Sequence, residues 1–342
     1  MIGALAVAAA AWATLPHATL ARTEVAAARV GGAVYVAGGF AAPAGATTNV
    51  VERYDLRRRR WSRVAPLPVA LNHAAAAAWG GRFYILGGYA ANGRATRGLF
   101  AYDPRRNRWA RLPAAPTARA AMAVGVIGDR LYAAGGAAGG RALNALEVFN
   151  LRTRRWRVLR HPLPTAREHV GGAVHRGRLY VIGGRAAGHS GNFTTVEAWS
   201  PSAERWVRAP SLSKARGGNA AATVRGTIVA AGGEEAAGTI REVEALAPGA
   251  RRWRRLPDLP TPRHGLGVVA AGSRVLVLEG GPQPGLAYSD AEEALEVGLS
   301  RIQAQGPPSA CERSVTSPAL ELSDDPLLPT SDIGRSTRKI PP

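Results

Sequence analysis

Short apolar runs recur along the chain at an even interval, and each is closed by glycine. They are Val34–Ala37, Phe83–Leu86, Leu131–Ala134, Leu179–Ile182, Ile228–Ala231 and Val275–Leu278. Runs of this length are too short for buried helices, so each predicts a buried strand. A tight-turn signal precedes each run: Gly31-Gly32, Gly80-Gly81, Gly128-Asp129, Gly177, Gly226 and Gly272. An Ala/Val-rich stretch lies ahead of the turn, so the two together predict a β-hairpin.

The glycines that close the runs come in pairs, at Gly38-Gly39, Gly87-Gly88, Gly135-Gly136, Gly183-Gly184, Gly232-Gly233 and Gly280-Gly281. Their spacings of 49, 48, 48, 49 and 48 residues describe one unit copied six times. A period of this size means a propeller or a solenoid. After the pair comes a Glu (Glu52, Glu147, Glu197, Glu244, Glu293), with Phe100 in its place in the second unit. Nine residues past that position stands Trp61, Trp109, Trp156, Trp206 or Trp253. Each unit therefore predicts four short strands, a to d.

The paired glycines, the aromatic that follows them (Tyr54, Tyr102, Phe149, Trp199) and the Trp resemble the kelch repeat. The resemblance covers roughly residues 12–298 and implies an all-β fold, a six-bladed β-propeller with one four-stranded sheet per repeat. The physics agrees, because a blade buries its faces only against its neighbours and a closed ring leaves few edges. Each Trp is expected to fill the gap between blades, with its N–H near a polar partner. The sixth unit has no Trp of its own, but Trp12 lies 26 residues before Gly38, as Trp61 does before Gly87. Trp12–Pro16 is therefore expected to be the outer strand of the last blade, closing the ring.

The ends depart from the repeat. Residues 1–11 are almost purely apolar and read as a truncated signal peptide or an Ala-rich extension. The first reading implies export to a periplasm or the outside, the second a cytoplasmic chain, and on either reading the segment is too short to span a bilayer as a helix. Residues 299–342 are rich in Ser and Pro and read as a disordered tail. The one cysteine, Cys311, lies there and excludes an intrachain disulfide.

Net charge is +20, almost all from Arg. Clusters such as Arg57-Arg58-Arg59-Arg60, Arg105-Arg106 and Arg251-Arg252 fall in the predicted c–d turns. A basic rim can attract polyanions, but no nucleic-acid-binding signature accompanies it. A composition rich in Ala, Arg, Gly and Pro also fits solvated turns written by a GC-rich genome.

Candidate chemistry gathers on the face carrying the b–c and d–a loops. Arg22, Arg119, Arg167, Arg216 and Arg263 recur before strand a, with Leu71 in the second unit; Arg263 stands seventeen residues before its glycine pair, the others sixteen. They are either scaffold, paired with the strand-c Glu, or free to grip a carboxylate. Beside them stand Glu24, Asn72, His73, Glu168, His169, Asn219 and His264, and loop b–c adds Arg185, His189, Asn192, Glu234 and Glu235. These differ from unit to unit and are the expected ligand-binding residues, with Glu168 and His169 as candidates for proton transfer. No metal or cofactor is expected: the histidines show no paired ligand spacing, although histidines of different blades can meet in space. Nor does any phosphate loop or dinucleotide fingerprint appear.

The kelch resemblance implies a binding module, here a monomer recognising an anionic small molecule, glycan or peptide at the channel mouth. Two alternatives stay open: an enzyme similar to the kelch-type sialic acid mutarotases, and polyanion binding at the Arg-rich rim.

Overall fold

The computed structural model describes residues 11–186, 188 and 191–298. The signal-like residues 1–10, the Ser/Pro-rich tail 299–342 with Cys311, and His189 lie outside the described residues. Among the described residues no helix is long and apolar enough to cross a membrane.

Each repeat forms one antiparallel four-stranded sheet in the order a–b–c–d. In the first blade these are Ala26–Val30, Ala33–Ala37, Val51–Asp55 and Arg60–Arg63. Strand b is buried along its whole length because it has a sheet neighbour on each side and a blade on each face, which is why its sequence is a continuous apolar run rather than an alternating one. The six a strands touch one another in sequence, and the last, Gly267–Ala271, touches the first. They therefore surround a central axis.

The ring closes as the sequence predicts. Trp12–Thr14 pairs antiparallel with Glu292–Glu296, with Trp12 opposite Leu295 and Thr14 opposite Glu293. A second ring runs round the outside. The indole N–H of Trp61 donates to the Pro16 carbonyl, Trp109 to Ala65, Trp156 to Pro113, Trp206 to His161, Trp253 to Pro210 and Trp12 to Pro257, all at 2.7–3.0 Å. Each tryptophan thus ties its blade to the one before, and Trp12 completes the circuit.

Inside the blades lies a repeated buried ion pair. Arg22 meets Glu52, Arg119 meets Glu147, Arg167 meets Glu197, Arg216 meets Glu244 and Arg263 meets Glu293. The guanidinium also donates to backbone carbonyls near the glycine pair, as Arg119 does to Gly135 and Ala145. The carboxylate's other oxygen accepts from a hydroxyl just upstream of the Arg, from Thr19, Thr117, Thr165, Ser213 or Thr261. In the second blade the whole arrangement is apolar: Val69, Leu71 and Phe100 take the three places, and Leu71 and Phe100 are buried in one core cluster. The chain carries both solutions to the same packing problem.

One register differs from the sequence reading. The amide after each first glycine bonds to the Arg-position carbonyl of the next blade: Gly39 to Leu71, Gly88 to Arg119, Gly233 to Arg263. In the sixth blade the equivalent donor is Gly280, bonding to Arg22. The structural pair there is Glu279-Gly280, not Gly280-Gly281, and Glu279 takes the left-handed conformation of the missing glycine, with φ 51°. Counted to Glu279, Arg263 sits at the common distance of sixteen, so no insertion exists.

Glu279 pairs with Arg22, which already holds Glu52, and the buried Glu292 stands nearby with both carboxyl oxygens unpartnered. Burial pushes the Glu279 carboxyl up to about 7 against the pull of Arg22, and burial with the neighbouring Glu279 raises Glu292 well above the ordinary carboxyl value. The folded chain therefore holds protons here that the unfolded chain releases, so the contribution of this pair to stability is fully present below the unfolded carboxyl value and is lost as pH rises through about 7. For Glu279 this amounts to about 3 kcal/mol. Glu292→Gln should melt higher than the parent at pH 8, by roughly 5 °C, and flatten the decline between pH 5 and 8. An unchanged slope would refute protonated carboxyls at this seam.

Candidate functional site

Two residues after each Arg position the chain turns through the left-handed region. Glu24, His73, Ala121, His169, Gly218 and Gly265 have φ between 52° and 67°. Non-glycine residues pay roughly 1–2 kcal/mol for this conformation, so something must hold them there. Main-chain bonds between blades do: His73 N donates to Glu24 O, Ala121 N to His73 O, Gly218 N to His169 O and Gly265 N to Gly218 O. At the seam Val25 N donates to Gly265 O. These positions from all six blades line a cavity of about 110 Å³ on the axis.

The six slots carry unequal side chains. Glu24, His73 and His169 project from three of them, while the others are Ala or Gly. At Gly265 a Cβ would lie 2.7 Å from Glu24 N and 2.6 Å from Thr23 Oγ1, so only glycine fits against its neighbour. A second ring is formed by the residue after each structural pair: Phe40, Tyr89, Ala137, Arg185, Glu234 and Gly281. Phe40 and Tyr89 flank His73 edge-on, with ring centroids at 5.8 and 5.6 Å.

Arg185 joins the other side. Its Nε donates to Glu168 Oε1 and its Nη1 to Glu234 Oε1, both at 2.8 Å, and Nη2 lies 3.1 Å from His169 Nε2. His169 Nδ1 meets the other Glu168 oxygen. His73 Nε2 lies 3.0 Å from His169 Nε2 and 3.2 Å from Glu24 Oε2. His264 Nδ1 is 3.2 Å from Glu24 Oε1, and its Nε2 faces the Gln283 carbonyl at 3.1 Å. Glu24, His73, Glu168, His169, Arg185, Glu234 and His264 therefore form one connected network drawn from five blades.

Its electrostatics follow from burial and pairing. Burial alone would raise Glu24, but His73, His264 and His169 outweigh it and hold the carboxyl well below the usual range. Burial lowers His73 to about 4 despite Glu24 beside it. Burial opposes a charge on His264 too, yet Glu24 and Glu234 overcome it and raise that imidazole. Both His264 nitrogens face acceptors, which suits the doubly protonated ring.

The sequence candidates divide cleanly. Arg22, Arg119, Arg167, Arg216 and Arg263 are buried in the blade ion pairs and do not reach the cavity as free guanidiniums. The expectation that they grip an anion is corrected: a carboxylate buried in the same strand system already occupies each. Glu24, His73, Glu168, His169 and His264 converge. Asn72 supports the network from behind, with Oδ1 2.6 Å from His73 Nδ1. Asn219 lines the cavity wall, but its Nδ2 donates to the Ile182 and Arg216 carbonyls. Asn192 donates to the Glu234 carbonyl, and Glu235 pairs with Lys214 outside the network. Sequence reasoning missed Phe40 and Tyr89, although the position after the pair varies in every blade and could have been read. The c–d turn arginines, Arg57, Arg58, Arg105 and Arg106 among them, are exposed at the opposite ends of the strands.

A family model described as the KLHDC2/KLHL20/DRC7 Kelch-repeats domain matches residues 24–211. Kelch-like protein terF of Aspergillus terreus (strain NIH 2624 / FGSC A1156) is 43% identical over 68 residues, 18% of this chain. The match spans only 15% of the length of that relative. Among solved structures, that of YjhT superposes with a TM-score of 0.71 at 16% identity, covering 81% of this chain and 95% of that one. At that identity the likeness shows the fold.

Proposed function

The chain belongs to the kelch-repeat family, and from that premise we propose that it is a binding module whose ligand docks at the channel mouth, between the Phe40–Tyr89 wall and Arg185. The observation that carries this reading is the confinement of variation. Blade packing repeats around the ring, while the two rings of residues facing the axis differ from blade to blade. The result is a two-sided mouth, half-buried aromatic rings on one side and a network of carboxylates, imidazoles and one guanidinium on the other. Such a mouth suits a ligand with one apolar face and one polar edge, as a glycan or a peptide has. Arg185 is already held by Glu168 and Glu234, so only the N–H groups left over on its Nη1 and Nη2 can meet a carboxylate on such a ligand.

A thermal-shift screen of neutral sugars, uronic and sialic acids, and acidic and basic peptides tests this. A stabilising ligand should lose at least tenfold in affinity with Tyr89→Ala, and an acidic one should lose as much with Arg185→Ala. Affinity retained in both variants would place binding elsewhere and sink the reading.

One observation favours a second reading, an acid–base enzyme of the mutarotase kind. The Glu168 carboxylate holds His169 Nδ1, so the lone pair lies on Nε2, where it meets Arg185 and becomes a general base once a substrate displaces that contact. Exchange between sialic acid anomers, followed by NMR, should then be accelerated by the parent and not by His169→Ala.

A further inference from the structure

Two histidines from different blades turn the same ring nitrogen toward each other, and each is held that way by its other nitrogen. Asn72 Nδ2 donates to Thr47 Oγ1 at 2.7 Å, which leaves the amide oxygen facing His73 Nδ1 at 2.6 Å. An amide oxygen only accepts, so His73 carries its proton on Nδ1. His169 Nδ1 meets the Glu168 carboxylate, which places its proton there by the same argument. Arg185 Nη2, which can only donate, stands at His169 Nε2 and marks a lone pair on that atom.

Both Nε2 atoms therefore present lone pairs across 3.0 Å, with Glu24 Oε2 beside them as a third electron-pair donor. Ligand atoms of these three residues all lie within 4.8 Å of one another. A neutral arrangement of this kind is repulsive. It becomes favourable when a cation occupies the space between the three atoms. Carboxylate or amide contacts on the far nitrogen of each imidazole are also the usual outer shell of a metal-bound histidine.

We propose that Glu24, His73 and His169 bind a divalent transition-metal ion of the zinc type on the propeller axis, with Asn72 and Glu168 orienting the two imidazoles. Donors about 2.0–2.1 Å from a tetrahedral ion lie roughly 3.4 Å apart, so the His73–His169 and His73–Glu24 separations of 3.0 and 3.2 Å need only small adjustment, and Glu24 and His169 lie within 4.8 Å of each other. All three ligands stand on left-handed slots fixed by the main chain, which pre-organises the set. The surrounding charge agrees, since Glu24, Glu168 and Glu234 outnumber Arg185 and the protonated His264 in the network. Arg185 would give up His169 and keep both of its carboxylate bonds. Three protein ligands leave a coordination position for water or for a ligand's carboxylate. The site does not depend on the mouth binding an organic molecule, so the two readings fail separately.

The test uses the full chain, stripped with a chelator and titrated with Zn²⁺ by calorimetry in the absence of any organic ligand. One equivalent should bind and raise the melting temperature, and Co²⁺ in its place should give visible absorption typical of a low-coordinate nitrogen/oxygen site. His73→Asn, which tolerates the left-handed backbone, and Glu24→Gln should weaken binding by at least about 100-fold. Asn72→Ala, which touches no metal, should weaken it about 10–100-fold. No stoichiometric binding would mean that a proton on His73 Nε2 bridges the pair instead, and would overturn the proposal. Equal affinity in His73→Asn and the parent would overturn it too, by placing the ion at the surface.

Discussion

Glu147→Ala should lower the unfolding free energy by about 3–5 kcal/mol, because it strands a guanidinium in the protein interior. Arg119 is almost inaccessible to solvent and gives its Nη2 to that carboxylate at 2.6 Å. With the carboxylate gone, Thr117 loses its partner as well. Charge reversal of the pair would be no remedy, since the carbonyls of Gly135 and Ala145 also require a donor at the Arg position. The informative contrast is the triple change Thr117→Val, Arg119→Leu, Glu147→Phe, which copies Val69, Leu71 and Phe100 of the second blade. Replacing a whole buried ion pair by well-packed apolar groups is often neutral, so this variant should melt well above Glu147→Ala. Denaturant unfolding of the two measures the difference. A triple variant as unstable as the single one would mean that the apolar solution depends on packing peculiar to the second blade.

A chain beginning at His17 should lose more than any point variant, with a melting temperature lower by well over 10 °C than a chain beginning at Ala11. Removing the outer strand uncovers the edge of Glu292–Glu296 and breaks its ladder to Trp12–Thr14. It also deletes the Trp12 donor to Pro257 and the Pro16 carbonyl that receives Trp61, so the outer ring opens at two consecutive links. Leu15, buried in the core between the last and first blades, goes with them. An unpaired strand edge invites pairing with another chain, so size-exclusion chromatography should show association along with the lower melt. A cooperative, monomeric melt at the parent temperature would show that the seam holds without its fourth strand.

The blade plan was legible because it depends on local, repeated signals. Apolar runs, turn glycines and the Trp each mark one strand, and Trp12 could be assigned to the last blade by counting from Gly38. The sixth register was misread because Gly281 imitates the second glycine of a pair whose first member is Glu279; the spacing from Arg263 held the correction. The recurrent arginines were ambiguous in sequence for a physical reason: a guanidinium beside a carboxylate in one blade reads the same whether it is spent on the scaffold or saved for a ligand. Convergence of His73 with His169 was invisible, since 96 residues separate them and only ring closure sets their distance. Phe40 and Tyr89 were overlooked because aromatic residues after a strand look like ordinary packing until the axis is known.

The left-handed ring has a consequence for how this molecule can change. Hydrogen bonds between backbones hold each of its members, so the identity of a side chain there is decoupled from the shape of the barrel wall. Ala121 stands in such a place between His73 and His169 and could be exchanged for a larger polar residue with no strand moving. Gly265 has no such freedom, because its bare α-carbon is the room into which Glu24 fits. New chemistry can therefore be installed wherever a Cβ has room, while at Gly265 the funnel stays smooth by geometric necessity.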